Sequence, residues 1–252
     1  PPRELAKQLA MSWKTIQPQT MYRVTGNPKW RNIRQVNTTD PTKMVSMEEG
    51  GQGLYQFLLD ESVVNSSATY RDVMGLLKDI QKEEISKRTQ SRLHYGTQSS
   101  GNLFKRPEES FKTLSKLIAN AIQEYYEKNK DKDNNSIFVK QFPKNVDFNS
   151  SWYVKMQSGG HLDSHIHEEG WVSGSVYLSI PKEKKNLNEG AIELSLHGDN
   201  YPKKHDNFPT KIYPVKVGDV VFFPSSVFHR TIPFSSKEER ICIAFDVKPE
   251  VV

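Results

Sequence analysis

Apolar residues recur at helical spacing through the first half of the chain and gather into short runs in the second half. Leu5, Leu9, Trp13 and Ile16 predict a helix over residues 2–17, and Tyr70, Val73, Met74, Leu77 and Ile80 predict another over 69–89. A third is predicted over 108–129, where Phe111, Leu114, Leu117, Ile118, Ala121, Ile122 and Tyr125 form one face and Pro107 suits the start. Between the first two, Pro18, Gly26, Pro28, Pro41, Gly50 and Gly51 predict irregular backbone over 18–52. From Ser136 the pattern changes to strands broken by turns: 137–142, 152–157, 162–167, 172–180, 191–196, 212–217, 220–223, 228–232 and 240–247. Helices first and strands later, without alternation, predict an α+β fold. Its core would be a sandwich or double-stranded β-helix (jelly-roll, cupin-like) buttressed by the N-terminal helices. The expected division is a helical, loop-rich part over 1–135 packing on a β core over 136–252.

Candidate chemistry concentrates in that core. His165 and His167 stand at i and i+2, so an extended segment projects both imidazoles from one face. His229 follows 62 residues after His167, at the end of a turn, an apolar run and a second turn that would deliver it to a barrel mouth. Three such ligands make a facial triad with open positions for substrate and dioxygen. Arg240, eleven residues further on, has the planar fork that meets a carboxylate, which points to an iron oxygenase with a keto-acid cosubstrate. A surface ion pair with Glu238 or Glu239 is the alternative for Arg240. Asp163 shares the face of His165 and would supply a carboxylate to the metal or support a ligand, while His161 and Asp163 make a second His-x-Asp spacing.

Composition narrows the alternatives. The single cysteine, Cys242, excludes an internal disulfide and a cysteine-rich zinc site, and its apolar neighbours predict a buried small hydrophobe. No apolar run approaches the ~18 residues of a membrane helix, so a cytoplasmic location is the expectation. Pro1 is not a translation start, so the chain is expected to be a piece of a longer protein. The net charge of +5 is uneven: residues 1–34 hold seven basic residues against Glu4, leaving the remaining 218 at −1. That basic segment reads as a solvated face rather than a nucleic-acid surface, although Tyr22 and Trp30 lie near it. A serine hydrolase is disfavoured because Ser173 lacks the Gly-x-Ser-x-Gly setting.

Longer stretches carry a resemblance. HIHEEGWVSGSVYLSIP from His165 to Pro181, the run Gly218 to Ser226, HRTIP from His229, and ERICIAFD from Glu239 to Asp246 resemble the 2-oxoglutarate/Fe(II)-dependent oxygenases. The similarity is to a group often found with bacterial tetratricopeptide or sulfotransferase-like proteins. Tyr95–Gln98 and Leu103–Phe104 resemble it too. The resemblance implies Fe(II) held by His165, His167 and His229, and 2-oxoglutarate held through its distal carboxylate by Arg240. It also implies a second hydrogen bond from Tyr177, with Ser175 on the same face. The usual motif has a carboxylate where His167 stands, which leaves Asp163 as the alternative third ligand. The implied reaction is hydroxylation of a peptide or small molecule. A three-histidine cupin-type dioxygenase without a keto acid and a non-catalytic metal-containing binding module are the competing readings. Glu168, Glu169 and Trp171 are expected at the rim of the site, with the polar loop 197–211 near the entrance. His165→Ala is predicted to abolish metal binding at the oxygenase site while His161→Ala leaves it, as read by metal titration; equal losses would contradict the ligand assignment.

Overall fold

Strands with apolar residues at every position must be covered on both faces, and here the two coverings are a helical layer and a barrel interior. The computed structural model describes residues 70–82, 84–131, 138, 142–202 and 206–248. It also gives the backbone of three short strands, β1 (Thr20–Met21), β2 (Val36–Asn37) and β3 (Val63–Asn65). The helix expected over 2–17 lies outside the described residues, as do most of 137–142 and Lys203 to His205. Within the segment expected to be irregular, β1 pairs antiparallel with β2.

Helix α1 (Tyr70–Asp79) is followed by β4 (Lys87–Arg88), β5 (Leu93–Ser99), a 3-10 turn at Leu103–Lys105 and helix α2 (Glu109–Asn129). The core then runs through β6 (Phe148–His165), β7 (Val172–Ser179), β8 (Ile192–Ser195), β9 (Thr210–Tyr213), β10 (Asp219–Pro224), β11 (Phe228–Thr231) and β12 (Arg240–Val247). The sheet order is β3-β10-β7-β12-β6-β11-β8-β9, with β5 also on β6 and β4 on β5; every named pairing is antiparallel. This sheet curls into a half-barrel of the double-stranded β-helix type, preceded by the helices, as the strand pattern predicted.

Side-chain parity builds the two layers. On β12, Ile241, Ile243, Phe245 and Val247 face one cluster while Cys242 and Ala244 face the other. On β10, Val220 and Phe222 join the first cluster, and Val221 and Phe223 the second. The first cluster is closed by α2, whose buried residues Phe111, Leu114, Ile118, Ile122 and Tyr125 follow the predicted stripe. Gly174 lies where β7 is squeezed between β10 and β12: a Cβ there would strike the Val221 carbonyl and the Phe245 ring.

Several expectations are corrected. Helix α1 ends at Asp79 rather than near 89, because Gln81, Lys82 and Glu84 offer no apolar continuation and Lys87–Arg88 pair with β5 instead. Strand β5 has no readable apolar alternation; backbone pairing to β6 holds it in the sheet. The strands expected at 152–157 and 162–167 are one long strand, β6, that changes partner from β12 to β11 about the left-handed Gly159 (φ 81). Strand β9 starts two residues early and stops at Tyr213, and Phe138 has helical rather than extended backbone. Trp171 is not at the rim: it is fully buried, stacked on Phe138 at 6.2 Å between ring centres.

Phe222 couples the sheet to α2 through an edge contact with Tyr125 at 5.9 Å. Phe222→Ala is expected to cost about 3–5 kcal/mol in denaturant unfolding, the usual loss for a buried phenylalanine; a loss below about 1 kcal/mol would contradict this packing.

Candidate active site

The register of β6 and β11 places His165 and His229 directly opposite each other, so two imidazoles 64 residues apart meet by strand pairing alone. His167 lies just past the end of β6, where its N–H donates to the Ser225 carbonyl (3.0 Å) and keeps the segment in place. Ring centres are 4.2 Å apart for His165 and His229, 4.8 Å for His167 and His229, and 5.3 Å for His165 and His167. One nitrogen from each of the three lies within 4.8 Å of the others.

Hydrogen bonds fix which nitrogens converge. Nδ1 of His165 donates to the Asp163 carbonyl (2.7 Å), Nδ1 of His229 to the Val227 carbonyl (3.2 Å), and Nδ1 of His167 to the Asp246 carboxylate (2.5 Å). Each Nε2 is therefore left with its lone pair. Nε2 of His165 and Nε2 of His167 stand 3.3 Å apart with no proton to share, an arrangement that a cation between them relieves. Burial, with His167 close by, holds the His165 imidazole at about 4. Burial, with both partner histidines adding to it, pushes His229 well below the ordinary histidine range. Both rings are thus neutral near pH 7, the state in which an imidazole can ligate a metal. These residues fit a divalent transition metal.

Asp246 is a residue of this cluster that sequence reasoning missed. Burial pushes its carboxyl upward, but the charge and hydrogen bond of His167, with hydroxyls from Ser173 (2.7 Å) and Ser150 (3.1 Å), outweigh this and hold it below the usual carboxylate range. The Ser173 proton is spent on Asp246, so Ser225 donates to Ser173 in turn (2.7 Å). The negative charge expected beside the metal is therefore present one contact out, behind His167. Strand parity was the available signal: Asp246 shares the face of Arg240, Cys242 and Ala244.

All three histidines line one cavity of about 630 Å³ with Arg240, Tyr177, Ser175, Cys242, Ala244 and Asp246. Arg240 is 2% exposed, which rules out the surface pair with Glu238 or Glu239. Its Nε donates to the Gly190 carbonyl (2.8 Å), an Nη lies 3.8 Å from the Cys242 thiol, and its guanidinium sits 5.0 Å from the Tyr177 ring centre. Among the described residues it makes no ion pair. Cys242 is buried and burial raises its thiol, consistent with the inert role predicted for it.

Asp163 points elsewhere: its carboxylate accepts from His94 (2.8 Å), and only its backbone carbonyl serves His165. Glu168, Glu169, Asp199 and Tyr201 line the cavity, with Arg92 pairing to Asp199 (2.8 Å). His197 instead donates to the Tyr201 carbonyl (2.8 Å) and stacks on Phe208.

Residues 150–246 match the family model described as "Putative 2OG-Fe(II) oxygenase". A 2OG-Fe(II) oxygenase family domain therefore occupies this part of the chain. Comparison with curated protein sequences gives no match. Among solved structures, the chain resembles HygX from Streptomyces hygroscopicus with nickel, 2-oxoglutarate and hygromycin B bound (TM-score 0.52, 13% identity, 79% of this chain and 86% of that one). It also resembles a prolyl hydroxylase from Trichoplax adhaerens in complex with a hypoxia inducible factor peptide fragment (0.50, 15%, 83% and 94%). A third is SnoN, a non-heme alpha ketoglutarate dependent epimerase from nogalamycin biosynthesis (0.53, 10%, 79% and 83%). At these identities the likeness is one of fold. No helix among the described residues is long and apolar enough to cross a membrane.

Asp246→Ala is expected to weaken Ni(II) or Fe(II) affinity at the oxygenase site about 10- to 100-fold, the usual cost of losing a ligand's supporting carboxylate. Calorimetric titration measures it, and an unchanged affinity would contradict the role given to Asp246.

Proposed function

We propose that the chain is an Fe(II)- and 2-oxoglutarate-dependent oxygenase that hydroxylates a small molecule or peptide, with His165, His167 and His229 holding the metal. The observation that carries this reading is a buried guanidinium in the same cavity as three convergent imidazoles. A buried charge without a counter-ion costs several kcal/mol, so Arg240 calls for an anionic ligand. A dicarboxylic keto acid meets both requirements: one end chelates a metal and the other accepts the guanidinium fork. Cys242, Ala244, Gly174 and Ser175 are among the small residues lining the cavity, and they leave the volume such a cosubstrate needs. The keto-acid-independent reading keeps the histidines but leaves Arg240 without a counter-charge.

When bound, Fe(II) with 2-oxoglutarate and dioxygen supplies the oxidising chemistry, releasing succinate and CO2 and hydroxylating a substrate C–H bond. The protein's own residues do the positioning. Arg240 holds the distal carboxylate, and Tyr177 adds a hydrogen bond from a hydroxyl that burial keeps protonated. Asp246 keeps the Nδ1 proton of His167 in place, so Nε2 always presents a lone pair. Phe223, packed 4.5 Å from the His229 ring, and Trp152, 5.5 Å from His167, shield the imidazoles from water. Glu168, Glu169, Arg88 and Tyr201 line the same cavity and in this reading face the substrate.

The test is succinate formation from 2-oxoglutarate in the presence of Fe(II) and ascorbate. Arg240→Ala is expected to raise the KM for 2-oxoglutarate at least ~30-fold, the counterpart of losing a buried charge-assisted contact worth about 2–5 kcal/mol. Unchanged KM in that variant, or succinate release that ignores iron, would contradict the proposal.

A further inference from the structure

A second cluster of metal-ligating groups lies outside the cavity. His94 on β5 and His161 on β6 are direct cross-strand partners, and Asp163 follows two residues after His161. One ligand atom from each of His94, His161 and Asp163 falls within 4.8 Å of the others. Nε2 of His94 is 2.8 Å from Oδ2 of Asp163, and Nε2 of His161 is 3.9 Å from Oδ1 of the same carboxylate. The two imidazoles stack with ring centres 4.4 Å apart and planes only 14° out of parallel, so their edges present nitrogen on the same side. Nδ1 of His161 donates to the Gly159 carbonyl (2.9 Å), which leaves Nε2 with its lone pair facing the carboxylate.

We infer that His94, His161 and Asp163 form an independent binding site for a divalent transition-metal ion, zinc being the chemistry that fits. Two imidazole nitrogens and one carboxylate oxygen are borderline donors that select Zn(II), Ni(II) or Cu(II) over Mg(II) or Ca(II). A metal–ligand distance of about 2.0–2.2 Å requires the three atoms to close by a fraction of their present spacing, and all three side chains are partly exposed and have room to do so. None of the three lines the oxygenase cavity, so water takes the remaining coordination positions. The site joins strands about 70 residues apart at the point where β5 slips register, between His94 and Gly96, with Tyr95 in the left-handed region (φ 49). It therefore acts as a staple between β5 and β6. Asp163 belongs to both centres: its carboxylate serves the outer ion and its carbonyl orients His165.

The experiment is calorimetric titration of the metal-free full chain with Zn(II), with His94→Ala, His229→Ala and the double variant alongside, each checked for folding by circular dichroism. Wild type is expected to take up two equivalents, each single variant one, and the double variant none. Zn(II) should also raise the Tm of His229→Ala but not that of the double variant. His94→Gln, which keeps a polar side chain of similar reach, should lose the same equivalent if His94→Ala folds poorly. A stoichiometry unchanged by His94→Ala or His94→Gln would overturn the outer site. Failure of the oxygenase site reads differently, as a stoichiometry unchanged by His229→Ala.

Discussion

A strand buried on both faces cannot carry charge at its ends unless something inside the barrel answers it, and β12 carries two charges. Arg240 opens the strand and Asp246 nearly closes it, about 20 Å apart along the backbone and too far to neutralise each other. Asp246 is answered by His167, Ser173 and Ser150. Arg240 meets a carbonyl, a thiol and the Tyr177 ring, none of them a counter-charge. One end of the strand is electrostatically complete and holds an imidazole, whereas the other has no ion-pair partner among the described residues, which is the basis for the proposed anionic ligand. The same strand's odd-numbered residues bind the sheet to α2, so the site and the core share one element.

Much of this architecture was legible because strand parity is an arithmetic property of sequence. Alternation over residues 240–247 defines which side chains face inward, and the i,i+2 spacing of His165 and His167 places two ligands without any tertiary information. His229 was read from the turn, apolar run and second turn that precede it, and Arg240 from its planar fork, whose inward direction only the register decides. The long stripe of α2 was equally plain, since Phe111 to Tyr125 supply an apolar face at every turn.

What was not legible depends on pairing rather than pattern. Strand β5 is polar, and its place in the sheet comes from backbone hydrogen bonds to β6, so its alternation carries no signal. For the same reason the meeting of His94 with His161 is invisible until register is known. Asp246 is hidden differently: a lone acid in an apolar run reads as the strand's solvent edge, and only the presence of His167 79 residues earlier makes its burial affordable. The departure of this site from the usual carboxylate ligand thus has a physical resolution. In the proposed site the negative charge sits on Asp246, behind His167, rather than on the ligand itself.

The account stands or falls on whether one cavity holds both metal and keto acid. Anaerobic titration of the Fe(II)-loaded full chain with 2-oxoglutarate, followed in the visible range, tests this most directly. The account predicts a weak charge-transfer band that saturates in proportion to bound iron and is absent from His229→Ala. An iron-replete wild-type protein that shows no band would contradict it.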